Sequence, residues 1–145
     1  MYKLIIICWL SIVGVLSAAE QTDFLGVKPT RSETSGNTTR YYHSNGSLMG
    51  YAATNGTTTR YYKANGVSAG RSEKSGNTTR FYQSNGSSAG RAIIYGNTTR
   101  LYHADGTSAG RSQTTTSGVT RYYNSNGSST GRKEVNGSTS RYYKP

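Results

Sequence analysis

Cysteine is all but missing: the one in the chain, Cys8, sits in the first twenty residues beside the only tryptophan, Trp9. Past that point the chain has no disulfide, no thiol nucleophile and no cysteine metal site. Aliphatic mass is also scarce. Residues 20 to 145 hold 11 Leu, Ile, Val and Phe side chains, a poverty that usually marks disorder. The 6 acidic residues are scattered, with no pair spaced for acid/base work. The 2 histidines, His43 and His103, share a position that other repeats fill with Lys63, Gln83 or Asn124. Ser and Thr abound without a His–Asp partner. These absences argue against an enzyme, and neither a metal nor a cofactor is expected. Proline occurs at Pro29 and Pro145 alone, so nothing between them interrupts a strand.

Two features stand out at the level of the whole chain. Residues 1–19 read as a secretory signal peptide, with Lys3 as the charged start, Leu4 to Leu16 as the apolar run and Ser17-Ala18-Ala19 before the cleavage point. A secreted or periplasmic protein starting at Glu20 is expected. Removing Lys3 leaves 16 basic against 6 acidic residues, a charge of +10 that favours anionic partners.

From Arg31 onward one phrase of 20 residues recurs: Gly36-Asn-Thr-Thr-Arg40-Tyr41-Tyr42, then Gly56 to Tyr62, Gly76 to Tyr82, Gly96 to Tyr102, Gly118 to Tyr123 and Gly137 to Tyr143. So short a period means stacked supersecondary units. Each unit carries two turn signals, Asn45-Gly46 and Ser35-Gly36 in the first, and between them Thr- and Tyr-rich runs suited to strands. Asn-Gly suggests type I′ hairpin turns. Gly50, Gly70, Gly90, Gly110 and Gly131 recur mid-run, where a bend, bulge or close backbone approach is expected. One extra residue falls among Gln113 to Thr120, where a turn can absorb it.

The expected fold is all-β: tandem 20-residue β-hairpin repeats in an elongated antiparallel meander sheet or β-solenoid, about 58 Å long if flat. Residues 20–30 would form an N-terminal cap or half repeat, and 31–145 six tandem hairpins with the last one partial. Lys144 and Pro145 would discourage further pairing at the edge. Period-2 alternation puts Thr38, Arg40 and Tyr42 on one face and Thr39, Tyr41 and His43 on the other. The second tyrosine never varies between repeats, so it is expected to pack inward, whereas its neighbour drifts to Phe81 and Leu101.

The Gly-x-x-x-Arg-Tyr spacing resembles the YD repeats of Rhs-type secreted proteins, without the Asp. The 20-residue period, the aromatic pair before Asn-Gly and the closing Gly70-Arg71 are similar to choline- and glucan-binding cell-wall repeats, with Arg71 and Arg80 where those have tryptophan. The closest overall resemblance is to secreted bacterial proteins built from tandem Gly-Asn-Thr-Thr-x-Tyr units. It spans Arg31 to Pro145 and implies hairpin repeats.

Two arginine columns are the chemical signature: Arg40, Arg60, Arg80, Arg100, Arg121 and Arg141 within strands, and Arg31, Arg71, Arg91, Arg111 and Arg132 beside the other turns. In a flat sheet like positions would lie about 9.6 Å apart. Alongside Tyr42, Tyr62, Tyr82, Tyr102, Tyr123 and Tyr143, these guanidinium groups suit an anionic polymer or cell-surface component such as cell-wall glycan, lipopolysaccharide or nucleic acid. The alternative is a structural protein that self-assembles through open sheet edges, its arginines only shielding the tyrosines.

Overall fold

The computed structural model describes residues 29–145; the expected signal segment (1–19) and positions 20–28 of the expected cap lie outside the described residues. Twelve strands follow one another: β1 (Arg31–Ser35), β2 (Thr38–Tyr42), β3 (Leu48–Asn55), β4 (Thr58–Lys63), β5 (Ser68–Ser75), β6 (Thr78–Gln83), β7 (Ser88–Tyr95), β8 (Thr98–Tyr102), β9 (Ser108–Thr114), β10 (Thr120–Asn124), β11 (Ser129–Asn136) and β12 (Thr139–Tyr143). Every neighbouring pair is antiparallel, and β12 pairs back onto β1, so the sheet is a closed barrel. The open meander or solenoid is thereby corrected. Nor does an elongated 58 Å sheet survive: the last strand returns to the first through Arg31↔Arg141, Ser32↔Ser140 and Glu33↔Thr139. Thr30 completes the seam, donating to the Tyr42 carbonyl at 2.9 Å and accepting from the Tyr142 amide at 3.2 Å.

Closure has a cause in the register. Tyr41 faces Gly50, and Gly50 in turn faces Lys63, two residues beyond the Tyr61 that repeats Tyr41. Each repeat therefore advances two residues along the strand for every two strands crossed. Two residues at about 3.4 Å against two strands at about 4.8 Å tilt the strands by about 35°, in the range of closed barrels. Equivalent residues consequently fall on circles around the barrel, about 12 Å apart rather than the 9.6 Å of a flat sheet.

A bulge on every odd strand from β3 to β11 bends the wall. The pairing slips between Tyr41 and Tyr42, and again at Tyr61/Tyr62, Phe81/Tyr82, Leu101/Tyr102 and Tyr122/Tyr123, leaving Met49, Ala69, Ala89, Ala109 and Thr130 as the extra residues. The residue after each is the recurring glycine, and at Gly70, Gly90, Gly110 and Gly131 φ lies between 133° and 143°. A Cβ on Gly90 would run into the carbonyl oxygen of Tyr102. The expected bulge is thus present, and glycine is required there by both conformation and space.

The turns differ from the type I′ expectation. At one rim Gly36, Gly56, Gly76, Gly96 and Gly137 have φ of 55° to 59° in two-residue loops, while among the described residues none other than glycine has positive φ. This is type II′, with glycine first. At the other rim the Asn-Gly loops have three residues: the Gly46 amide donates to the His43 carbonyl at 3.0 Å, and His43 N–H donates to the Ser47 carbonyl at 2.9 Å. Here Gly46 alone takes positive φ (82°), and Asn45 serves as an acceptor, its Oδ1 receiving the Ser47 amide at 3.0 Å. Asn65, Asn85, Asp105 and Asn126 do the same. The extra residue near Thr115 turns one two-residue loop into a three-residue one closed on Gly118, leaving both flanking strands paired.

Inside, one bulky residue from each even strand faces small ones from its neighbours. Tyr41, Tyr61, Phe81, Leu101 and Tyr122 are at most 1% exposed and Tyr142 8%. Opposite them stand glycines of the bulges and Ser32, Ala52, Ser72, Ala92, Ser112 or, in the last hairpin, Lys133. The drifting column is therefore the inner one, correcting the expectation that Tyr42 and its equivalents pack inward. Two inner hydroxyls meet serines of the small column: Tyr61 Oη lies 2.9 Å from Ser72 Oγ and Tyr142 Oη 3.2 Å from Ser32 Oγ. Phe81, without a hydroxyl, has Ala92 in the corresponding place. Beside the two-residue loops, threonines pair across hairpins at 3.0 Å, Thr34 with Thr39 and Thr54 with Thr59, and Thr114 pairs with Thr120 in the same way beside the three-residue loop. Where Lys74 replaces the first threonine, the buried Thr79 hydroxyl has no hydrogen-bond partner among the described residues.

Gly90→Ala will lower stability by about 3 kcal/mol or more in urea unfolding, through strain plus backbone clash. Gly86→Ala, at φ 86° but in open space, will cost only about 1–2 kcal/mol. Tyr61→Phe will cost about 1 kcal/mol by stranding Ser72, and adding Ser72→Ala will restore at least half of it in a double-mutant cycle.

Candidate anion-binding wall

Alternation carries the arginines outward. Arg40, Arg60, Arg80, Arg100, Arg121 and Arg141 are exposed, and Arg31, Arg71, Arg91, Arg111 and Arg132 stand on the same outer face of the odd strands. The pairing puts Arg60 opposite Arg71, Arg80 opposite Arg91, Arg100 opposite Arg111, Arg121 opposite Arg132 and, across the seam, Arg31 opposite Arg141. Arg40 faces Tyr51 instead. Because equivalent residues lie on circles, all 11 arginines occupy one belt around the barrel, with Tyr51 in the twelfth place.

Two charges at the roughly 5 Å of opposed side chains would repel by up to about 0.8 kcal/mol in water. The outer tyrosines relieve this. Arg31, Arg71, Arg91, Arg111 and Arg132 lie over Tyr42, Tyr82, Tyr102, Tyr123 and Tyr143, with ring centroids 4.4 to 4.8 Å from the guanidinium carbon. Each such contact contributes about 0.5–1 kcal/mol when exposed. In the hairpin of β3 and β4, Tyr51 takes the arginine's place and stacks on Tyr62 at 4.9 Å. The outer tyrosine is unvarying because an arginine, or Tyr51, rests on it.

Carboxylates are unevenly spread along the belt. Arg31–Glu33, Arg71–Glu73 and Arg132–Glu134 form ion pairs of 2.8 to 2.9 Å along their own strands, and the same glutamates face Arg40, Arg80 and Arg141 across the hairpins. The corresponding residues facing Arg60, Arg100 and Arg121 are Ala53, Ile93 and Gln113. From β7 to β10 the outer wall thus holds Arg91, Arg100, Arg111 and Arg121 with no carboxylate. The acidic residue within this stretch, Asp105, sits in the β8–β9 loop with its carboxylate bound to the Thr107 hydroxyl at 2.7 Å and amide at 2.9 Å. Those hydrogen bonds, the hydroxyl's foremost, hold its pKa below the ordinary 3.8.

Every predicted binding residue lies on this outer face, which brings Arg40, Tyr42 and their equivalents together with Arg71, Arg91, Arg111 and Arg132. Sequence reasoning missed the glutamate pattern, although Arg-x-Glu at 31–33, 71–73 and 132–134 against Arg-x-Ile at 91–93 and Arg-x-Gln at 111–113 spells it out. It also missed Tyr51 and Tyr95, the latter carrying Arg100 over its ring at 5.3 Å. Among the described residues no group of His, Asp and Glu is placed to hold a metal. None of their helices is long and apolar enough to cross a membrane. The barrel wall itself presents strands of 5 to 8 residues with arginines at mid-height, unlike the apolar band and 9–11-residue strands of a spanning barrel. Comparison with protein-family models, curated proteins and solved structures gave no match to this chain.

Asp105 will make the β8–β9 loop acid-sensitive. A carboxyl whose folded pKa is depressed stabilises above its unfolded value, and the contribution is lost as pH falls below 3.8 and through the lowered value. Melting Asp105→Asn, which copies the Asn of the other loops, against the parent from pH 6 to pH 2.5 will show the gap between them closing at the acid end.

Proposed function

We propose that this chain is a secreted, non-catalytic barrel that binds an anionic polymer or cell-surface component through its outer wall of arginine and tyrosine. The observation that carries the reading is the belt: 11 arginines at one height, 3 glutamates against them, and tyrosine rings alongside. Guanidinium groups donate paired hydrogen bonds to phosphate, sulfate or carboxylate oxygens, and a tyrosine ring released by its arginine would stack on sugars or bases. A belt around a convex wall suits an extended chain or a surface better than a small molecule, which favours concave sites. The non-catalytic reading rests on the dispersal of candidate groups: His43 and His103 open separate loops, and Glu33, Glu73 and Glu134 are paired with arginine.

A structural role has its own support in the five arginine–tyrosine stacks, which stabilise the wall with or without a ligand. It applies to Arg31, Arg71, Arg91, Arg111 and Arg132 more than to Arg60 or Arg121. Self-assembly through sheet edges is not part of the proposal, since every strand of the barrel is paired on both sides.

The test is salt-dependent retention of the secreted protein on cell-wall glycan, lipopolysaccharide and DNA. Replacing Arg60, Arg80 and Arg100 together by Gln will abolish retention and flatten its salt dependence. Unchanged affinity in that variant would make the arginines structural.

A further inference from the structure

Resting on that reading, we infer that the belt has one primary site, the Arg100–Arg111 pair, and that it takes a tetrahedral oxyanion, a phosphate or sulfate group of the polymer. Of the five opposed arginine pairs, this is the one with no carboxylate beside either member. Glu73 binds Arg71 of the Arg60–Arg71 pair and faces Arg80 in the next, Glu134 binds Arg132, and Glu33 and Glu134 serve the seam pair. Arg100 faces Ile93 across its hairpin, and Gln113 follows Arg111 where a glutamate stands in three other repeats.

Geometry adds to the charge. Arg100 leans over Tyr95 on β7, at 5.3 Å, and Arg111 over Tyr123 on β10, at 4.6 Å, although β8 and β9 are adjacent. The two guanidinium groups thus lean to opposite sides, and an oxyanion between their strands would draw both inward off their rings, exchanging two cation–ring contacts for charge-assisted hydrogen bonds. Both side chains are exposed, so little water-shielded structure has to move. A carboxylate has two oxygens and matches one guanidinium fork; a phosphate or sulfate offers oxygens to both forks at once. An anion seated there also removes the repulsion of the one opposed pair that no carboxylate relieves.

The experiment measures retention of the secreted protein on immobilised inorganic polyphosphate, dextran sulfate and poly-glutamate of matched length. Arg100→Gln/Arg111→Gln will weaken binding about tenfold or more, against about threefold or less for Arg60→Gln/Arg71→Gln, which removes the same two charges beside Glu73. Ile93→Glu, which copies the glutamate of other repeats and should melt like the parent, will weaken it as well. Polyphosphate ahead of dextran sulfate names phosphate as the source, and the reverse names sulfate; either supports the site. Equal losses in the two double variants would overturn it while leaving polymer binding by the whole belt in place. Poly-glutamate bound as tightly as the other two would overturn the tetrahedral assignment. No retention of the parent on any of the three would overturn the broader reading along with the site.

Discussion

At each bulge a glycine pairs with a bulky inner residue of the preceding strand, and the barrel follows from that pairing. A Cβ on Gly90 would meet the backbone carbonyl of Tyr102 on the following strand, and at Gly70, Gly90, Gly110 and Gly131 the backbone takes a φ of 133° to 143° that glycine adopts freely. Together they place an extra residue on one strand of each pair, increase its bend and set the two-residue advance that tilts the strands. Repeated at five junctions, a local accommodation of Tyr41, Tyr61, Phe81, Leu101 and Tyr122 becomes a closed sheet. The seam between β1 and β12 then joins residues 110 positions apart in sequence, with Ser32 bonded to Tyr142. It is the long-range step of a fold otherwise built from neighbouring hairpins, and loop-closure entropy makes it the slow one to form.

The outer wall is ordered by a different balance. Alternation forces arginine and the second tyrosine onto the same face, and closure lines the arginines up into opposed pairs. Repulsion between them is of the same size as a cation–ring contact, so stacking holds the belt together without glutamates everywhere. Glutamate appears in three hairpins and is replaced by Ala, Ile or Gln in the others, which concentrates uncompensated charge on β7 to β10. The surface therefore has a preferred side even though the wall repeats six times.

Much of this was legible in the sequence. Short antiparallel hairpin strands, two turns per repeat, a special role for Gly50 and its equivalents, and a turn that absorbs the residue near Thr115 all follow from local chemistry. Closure was not, because it depends on how one repeat registers against the next, and no residue type encodes that offset alone. The orientation of the tyrosine pair was misread by taking constancy as a mark of burial. Tyr41, Phe81 and Leu101 vary because an interior position accepts any bulky group that fills it; Tyr42 and its equivalents stay fixed because their outer face supports a cation or, at Tyr62, the Tyr51 ring. The parity of Arg40 with Tyr42 carried the answer, since burying one would have buried the other. At the candidate site the arginine columns were visible, but their opposition in pairs and the gap in the glutamates became meaningful only once strands were paired.

A ring of hairpins has no first member. The first and last of the described strands, β1 and β12, are neighbours, joined by the same kind of antiparallel ladder that joins β2 to β3. Relinking Tyr143 to Arg31 by a short loop and cutting at Asn85-Gly86 or Asn126-Gly127 would give a chain that begins elsewhere yet draws the same circle. In such a permuted protein the present seam would become a local hairpin and some other junction would take on the long reach, so the order of closure belongs to where the chain is cut rather than to the barrel.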